Sequence, residues 1–148
     1  MLKRKVVFLI LLLLGFLLFN FPLAAQATNQ IDAGPLIGTW SDNSNPTSGI
    51  YKWIITADGK AVDYWKGNDA VYEEARYSIE KSWTDEDGNT WFQCEFLTHL
   101  FPYTGKGNEK WYVVFKIDAS GEAMEQGWSQ AGYKLDFHNT IHVLSHRE

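Results

Sequence analysis

The feature that most limits what this chain can fold into is its cadence. Short runs rich in β-branched and aromatic residues recur along it: Ile37 to Ser41, Ile50 to Thr56, Ala61 to Lys66, Ala75 to Trp83, Thr90 to Thr98, Trp111 to Ile117, Ala123 to Trp128, Tyr133 to Phe137 and Thr140 to Leu144. Turn residues punctuate them. Asp58-Gly59, Asp85-Glu86-Asp87-Gly88-Asn89 and Asp118-Ala119-Ser120-Gly121 each sit between two runs, and Asp-Gly tolerates the positive φ that a tight hairpin needs at its centre. No window of about ten residues carries a helical period, and Gly67 to Glu74 has room for one helical turn at most. Eight or nine short strands at this spacing define an all-β chain. Consecutive hairpins favour an antiparallel up-and-down order, and closure into a barrel of about eight strands leaves no exposed edge.

Side chains alternate between the two faces of a strand, so polar markers assign the faces. Lys52 marks the outer face of its run, with Ile50 and Ile54, and puts Tyr51, Trp53 and Ile55 inside. Arg76, Ser78 and Glu80 put Tyr77 and Ile79 inside, with Trp83 continuing that face. Gln93 and Glu95 put Phe92, Cys94 and Phe96 inside; Lys116 does the same for Trp111, Val113, Phe115 and Ile117, and Glu125 for Met124, Gln126 and Trp128. Trp91 and Leu97 fall on the outer face, against the apolar trend.

The core must stand without a disulfide, because Cys94 is the one cysteine in the chain and a single cysteine makes no internal bridge. Aromatic residues supply the material: all seven Trp and all seven Tyr lie beyond residue 36, and each large ring can bury about 150–250 Å².

The first residues read as a secretory leader. Lys3-Arg4-Lys5 precede an apolar stretch from Val6 to Phe19, and Ala25 and Ala27 supply the small side chains a signal peptidase accepts. The expected organisation is a signal peptide over 1–27 cut after Ala27, a flexible N-terminal segment over 28–35, and a barrel domain over 36–148. Retention as a membrane anchor is the competing reading, against which Asn20 and Pro22 interrupt the apolar stretch. Cleavage leaves ten of the 13 basic residues and all 18 acidic ones, a net charge of −8. Such a surface repels phosphate backbones and anionic lipid head groups. The expectation is therefore a secreted or periplasmic protein with no nucleic-acid partner and no stable membrane association after cleavage.

On the opening strand, Gly38-Thr39-Trp40 resembles the Gly-x-Trp signature of lipocalins and of the wider calycin group, which includes fatty-acid-binding proteins and avidins. The resemblance covers the architecture of residues 36 to 148 and is specific at Gly38 and Trp40. It implies a lipocalin-like barrel in which Trp40 lies across the closed end and an Arg near the chain's end packs on it, a place Arg147 can fill. The length suits avidins better than lipocalins. Neither the Thr-Asp-Tyr signature of lipocalins nor the biotin-binding pattern of avidins is present, so no ligand residue is carried over from either.

Catalytic patterns fail one by one. Ser78 and Lys81 have the Ser-x-x-Lys spacing, but strand parity parts them, whereas that chemistry needs one helical face. Gly127-Trp128-Ser129-Gln130-Ala131-Gly132 misses Gly-x-Ser-x-Gly by one residue. His138, His142 and His146 recur every four residues, which on a strand means about 13 Å between neighbours, too far for one ion bound at about 2 Å. Counted from Asp85, the sixth and twelfth places of a calcium loop, which need a glycine and a bidentate acid, fall on Thr90 and Phe96. No metal, cofactor or enzymatic activity is expected.

What remains is the aromatic interior. Tyr51, Trp53, Tyr77, Phe92, Trp111, Gln126 and Trp128 would line a pocket for a small apolar or aromatic ligand, with a few polar tips to orient it. The other reading is a solid-cored interaction module, an exported inhibitor or envelope factor, whose outer acidic and aromatic patch with Trp65, Trp91 or Tyr112 meets a basic protein.

Overall fold

A computed structural model describes residues 31–42, 50–65, 70–100 and 108–148, apart from the side chains of Trp65, His99 and Leu100. The leader and residues 28–30 of the N-terminal segment lie outside the described residues. Eight strands follow in chain order: β1 Gly38–Ser41, β2 Ile50–Ile55, β3 Lys60–Trp65, β4 Ala70–Thr84, β5 Thr90–Leu100, β6 Lys110–Ile117, β7 Ala123–Ser129 and β8 Ile141–Arg147. Each pairs antiparallel with the next, and β8 returns to β1 through Trp40 opposite Arg147, so the sheet closes. Among the described residues there is no helix. The expected all-β, up-and-down barrel of eight strands is the fold.

The hairpin turns after β2, β4 and β6 gather at one end, held by their own acids. Asp118 Oδ1 accepts the N–H groups of Glu122 and Ala123, and Asp85 Oδ1 accepts those of Asp87 and Asn89. The same end is sealed by the residues ahead of β1. A turn at Ala33–Leu36 buries Leu36, whose carbonyl accepts the indole N–H of fully buried Trp40 at 3.0 Å. The Arg147 guanidinium lies 4.3 Å from the Trp40 ring centroid. It donates to the carbonyls of Gly121, Ile37 and Pro35 at 2.9, 2.9 and 2.7 Å. Gly38 makes room for it, since a Cβ there would stand 2.7 Å from Arg147 Nη1.

Above that seal the core is aromatic. Phe96 packs edge-on against Trp128 at 4.9 Å and stacks on Tyr77 at 5.5 Å, with Phe115 and Phe92 buried beside them. Such pairs contribute about 0.5–1.5 kcal/mol each beyond their buried area.

Four strand-level expectations need correction. Residues 70–74 are β-strand rather than helical turn, extending β4 toward its start. Tyr133 to Phe137 is no ninth strand but part of the long connection between β7 and β8, in which Phe137 and Asn139 take positive φ. A bulge between Ile79 and Lys81 resets the alternation of β4, so Ser82 faces Phe92 and Trp83 faces Trp91. Trp83 consequently stacks on Trp91 outside the barrel, 5.7 Å away and 7° from parallel, instead of entering the core. A second bulge between Ile50 and Lys52 has the same effect on β2: Ile50, read as outward, packs against the core. A bulge inserts one residue, and one residue is enough to exchange the faces.

Candidate functional site

The buried polar side chains of the interior divide into a satisfied set and an unsatisfied one. Gln126 is fully buried on β7; it donates to Ser145 Oγ at 3.1 Å and accepts the Trp128 indole N–H at 3.1 Å. Ser145 Oγ passes the chain on to the Met124 carbonyl at 3.3 Å. Every member has a partner within the protein, so this network holds the wall of the barrel and asks nothing of a ligand.

The second set lies toward the opposite end, from which the connections β1–β2, β3–β4, β5–β6 and β7–β8 depart. Asp63 near the end of β3 and Glu73 near the start of β4 are direct cross-strand partners. They share parity with Ala61 and Ala75, both in the core cluster, so both carboxyls turn inward. Asp63 is 3% exposed and Glu73 6%. Glu73 Oε1 and the indole Nε1 of Trp111, at the start of β6, are buried without a hydrogen-bond partner. A third such atom, the Tyr133 hydroxyl, belongs to the β7–β8 connection, where its ring meets Tyr112 edge-on. Thr98 completes the far half of the wall; its Oγ1 donates to the Glu109 carbonyl and accepts the Glu109 N–H, fixing that residue at the rim.

Burial governs how these carboxyls ionise. Desolvation pushes Asp63 well above the usual carboxylate range, and the neighbouring Glu73 charge pushes the same way. Glu73 is pushed up to about 7, by desolvation first and by the charge of Glu109 second. A facing pair of acids in a low-dielectric interior resists carrying two charges. At neutral pH such a pair can donate a hydrogen bond or a proton, or receive a cation.

The seven side chains expected to line a pocket are thus distributed unevenly. Trp53 is buried in the core cluster and Trp111 packs against it, with its N–H unsatisfied. Phe92 is buried deep in the packed half. Tyr77 is half-buried and anchored, donating to the Thr56 carbonyl at 2.8 Å beside the sealed end. Gln126 and Trp128 satisfy each other. Tyr51 lies at the β2 bulge outside the core cluster, 5.6 Å from the Lys52 ammonium, and Ile50 takes the inward position. Sequence reasoning passed over Asp63 and Glu73. Two signals marked them: Asp63 alternates with Ala61, and in the adjacent pair Glu73-Glu74 one side chain must face inward.

On the outside, two of the rings named for a partner-binding patch, Trp91 and Tyr112, are engaged within the molecule. Trp91 donates to Asp85 Oδ2 at 2.7 Å and stacks between Trp83 and Phe137. Phe137 lies against Gly127, where a Cβ would come within 2.5 Å of its ring, and stacks on His142 at 4.9 Å. The Trp65 side chain lies outside the described residues. His138 and His146 are exposed, and His142 approaches Glu125 Oε2 at 3.2 Å. Among the described residues no three histidine, cysteine or acidic side chains converge as metal ligands.

The fold and this interior define a closed eight-stranded barrel with an acidic, partly unsatisfied half. Comparison with protein-family models, with curated proteins and with solved structures gives no match for the chain.

Proposed function

We propose that the protein is an exported, non-catalytic calycin of lipocalin-like type that holds a small apolar or aromatic molecule in the far half of its barrel. The Gly38-Trp40-Arg147 arrangement at the sealed end supports the kinship. The observation that carries the binding role is the pair of buried atoms without partners, Glu73 Oε1 and Trp111 Nε1. Each costs the fold about 1–3 kcal/mol while unsatisfied, and a ligand offering one donor and one acceptor would offset both. Apolar walls with a few placed polar groups are the usual make-up of such sites. Trp53 and Trp111 supply the apolar surface, which makes the intrinsic fluorescence a reporter.

Native mass spectrometry of the gently purified protein, followed by tryptophan quenching with fatty acids, retinoids, haem and biotin, tests the reading. A retained mass lost on unfolding, or saturable quenching below about millimolar, is the expected result. Absence of both across the panel overturns it.

A further inference from the structure

Three kinds of group lie toward the far end of the barrel: two facing carboxyls on β3 and β4, an unsatisfied indole N–H at the start of β6, and buried aromatic side chains. The ion pairs among the described residues, Lys60–Asp58, Lys110–Glu95, Lys116–Glu125 and His142–Glu125, all lie on the exterior. None reaches Asp63 or Glu73. Buried charges in proteins are paired with an opposite charge or coordinate a metal, and like charges placed directly opposite across a sheet repel. An acidic pair at this position can ionise without penalty where a positive charge meets it, and no ion pair among the described residues supplies one. A hard divalent ion would want six or more oxygen ligands, and the described residues bring no third ligand to the pair. An organic ammonium needs only two acceptors and an apolar wall.

We propose that the barrel site takes an organic ammonium cation, its N–H groups meeting Asp63 and Glu73 and its apolar body lying against Trp53 and Trp111. This deepens the binding role proposed above and rests on it. Glu73 Oε1, more than nine-tenths buried and unpartnered, is the acceptor that waits for such a donor. The Trp111 N–H calls for an oxygen acceptor on the same molecule, so an amine that also carries a hydroxyl or carbonyl satisfies the whole site. Among the described residues, the charged groups that bear on Glu73 are Asp63 from β3 and Glu109 from the rim ahead of β6. The inward residues Trp53, Thr98, Trp128 and Val143 of the other strands bring no titratable group. Ammonium binding then requires an ionised carboxyl, and affinity falls as the solution becomes more acid than about 7, where Glu73 takes up its proton.

A matched trio tests this on the full-length protein: 2-phenylethylamine, 2-phenylethanol and phenylacetate, titrated by calorimetry and tryptophan fluorescence at about pH 8 and pH 6. The amine is expected to bind at least about tenfold tighter than the alcohol at the higher pH and to lose most of that advantage at the lower, with phenylacetate weakest. Asp63→Asn and Glu73→Gln, which keep size and remove charge, should each remove the amine's advantage over the alcohol. Equal binding of amine and alcohol overturns the ammonium inference and leaves the barrel site standing. So does failure of all three where larger neutral ligands bind. Calcium alone binding in a Glu73-dependent way overturns it in favour of a metal site. If neither the trio nor the wider panel binds, both readings fall.

Discussion

Replacing Glu73 by Gln should change how the protein's stability responds to pH, in a direction opposite to that of ordinary surface acids. In the folded chain the Glu73 carboxyl titrates at about 7, against an ordinary value of 4.5. A carboxyl raised in this way favours the fold when neutral. Below about 4.5 it is neutral in folded and unfolded chains alike and imposes no penalty; as pH climbs through 7 the folded state must either hold a buried charge or give way. At about 1.4 kcal/mol for each tenfold change in proton affinity, the penalty reaches about 3 kcal/mol above pH 7. Asp63 acts in the same sense. The acids with lowered values, Asp58, Asp85 and Asp118, lose their stabilisation only on the acid side of the carboxylate range, so they do not contribute to the slope between about pH 5 and pH 8. Urea unfolding followed by tryptophan fluorescence, at half-unit steps across that interval, measures the effect. Relative to wild type, Glu73→Gln should gain about 2.5 kcal/mol from the acid to the alkaline end, whatever constant offset its new amide brings. Parallel profiles for the two proteins, or a wild type that gains on the variant as pH rises, would show that Glu73 is not held in the environment described.

Three further outcomes follow from contacts elsewhere in the barrel. Arg147→Ala removes three charged hydrogen bonds and the cover over Trp40, and should cost about 3 kcal/mol and about 10 °C or more in Tm. Arg147→Lys should recover less than half of that because one ammonium cannot reach three diverging carbonyls; a Tm within about 2 °C of wild type for the alanine variant would refute the role. Gly127→Ala should destabilise by about 1–3 kcal/mol through its collision with Phe137. Adding Phe137→Ala should then cost less than the two single changes summed, and strict additivity in urea titrations would contradict the packing. Cys94, fully buried and with its thiol pushed far up by desolvation, should react with a thiol reagent only as fast as the protein unfolds; rapid labelling of the native protein would count against the core.

Much of the barrel was legible because hairpin turns and alternation are local signals. Phe92, Cys94 and Phe96 on β5, and Val113, Phe115 and Ile117 on β6, face inward as their polar neighbours indicate. The two bulges were not legible: an inserted residue at Tyr51 or Glu80 leaves no mark in composition, yet it turned Ile50 in and Trp83 out. Tyr133 to Phe137 has a strand's residue types, but its Phe137 serves as a cap on the outer surface at Gly127, a contact set by tertiary packing. The buried acids Asp63 and Glu73 escape the sequence for a different reason. Charged residues serve as markers of the outer face, and that rule fails where burial favours the neutral carboxyl. Asp63 and Glu73 break the pattern by turning inward, and Glu73 Oε1 is left there without a hydrogen-bond partner.

The contact between Trp40 and Arg147 joins residues more than a hundred positions apart and belongs to the seam between the first strand and the last. Until that seam forms, both outer strands are raw edges and the plug over the base has no lid. The cylinder is therefore finished by its longest loop closure, which makes completion of the ring a late and cooperative event. Its final residues work as a latch rather than a trailing end.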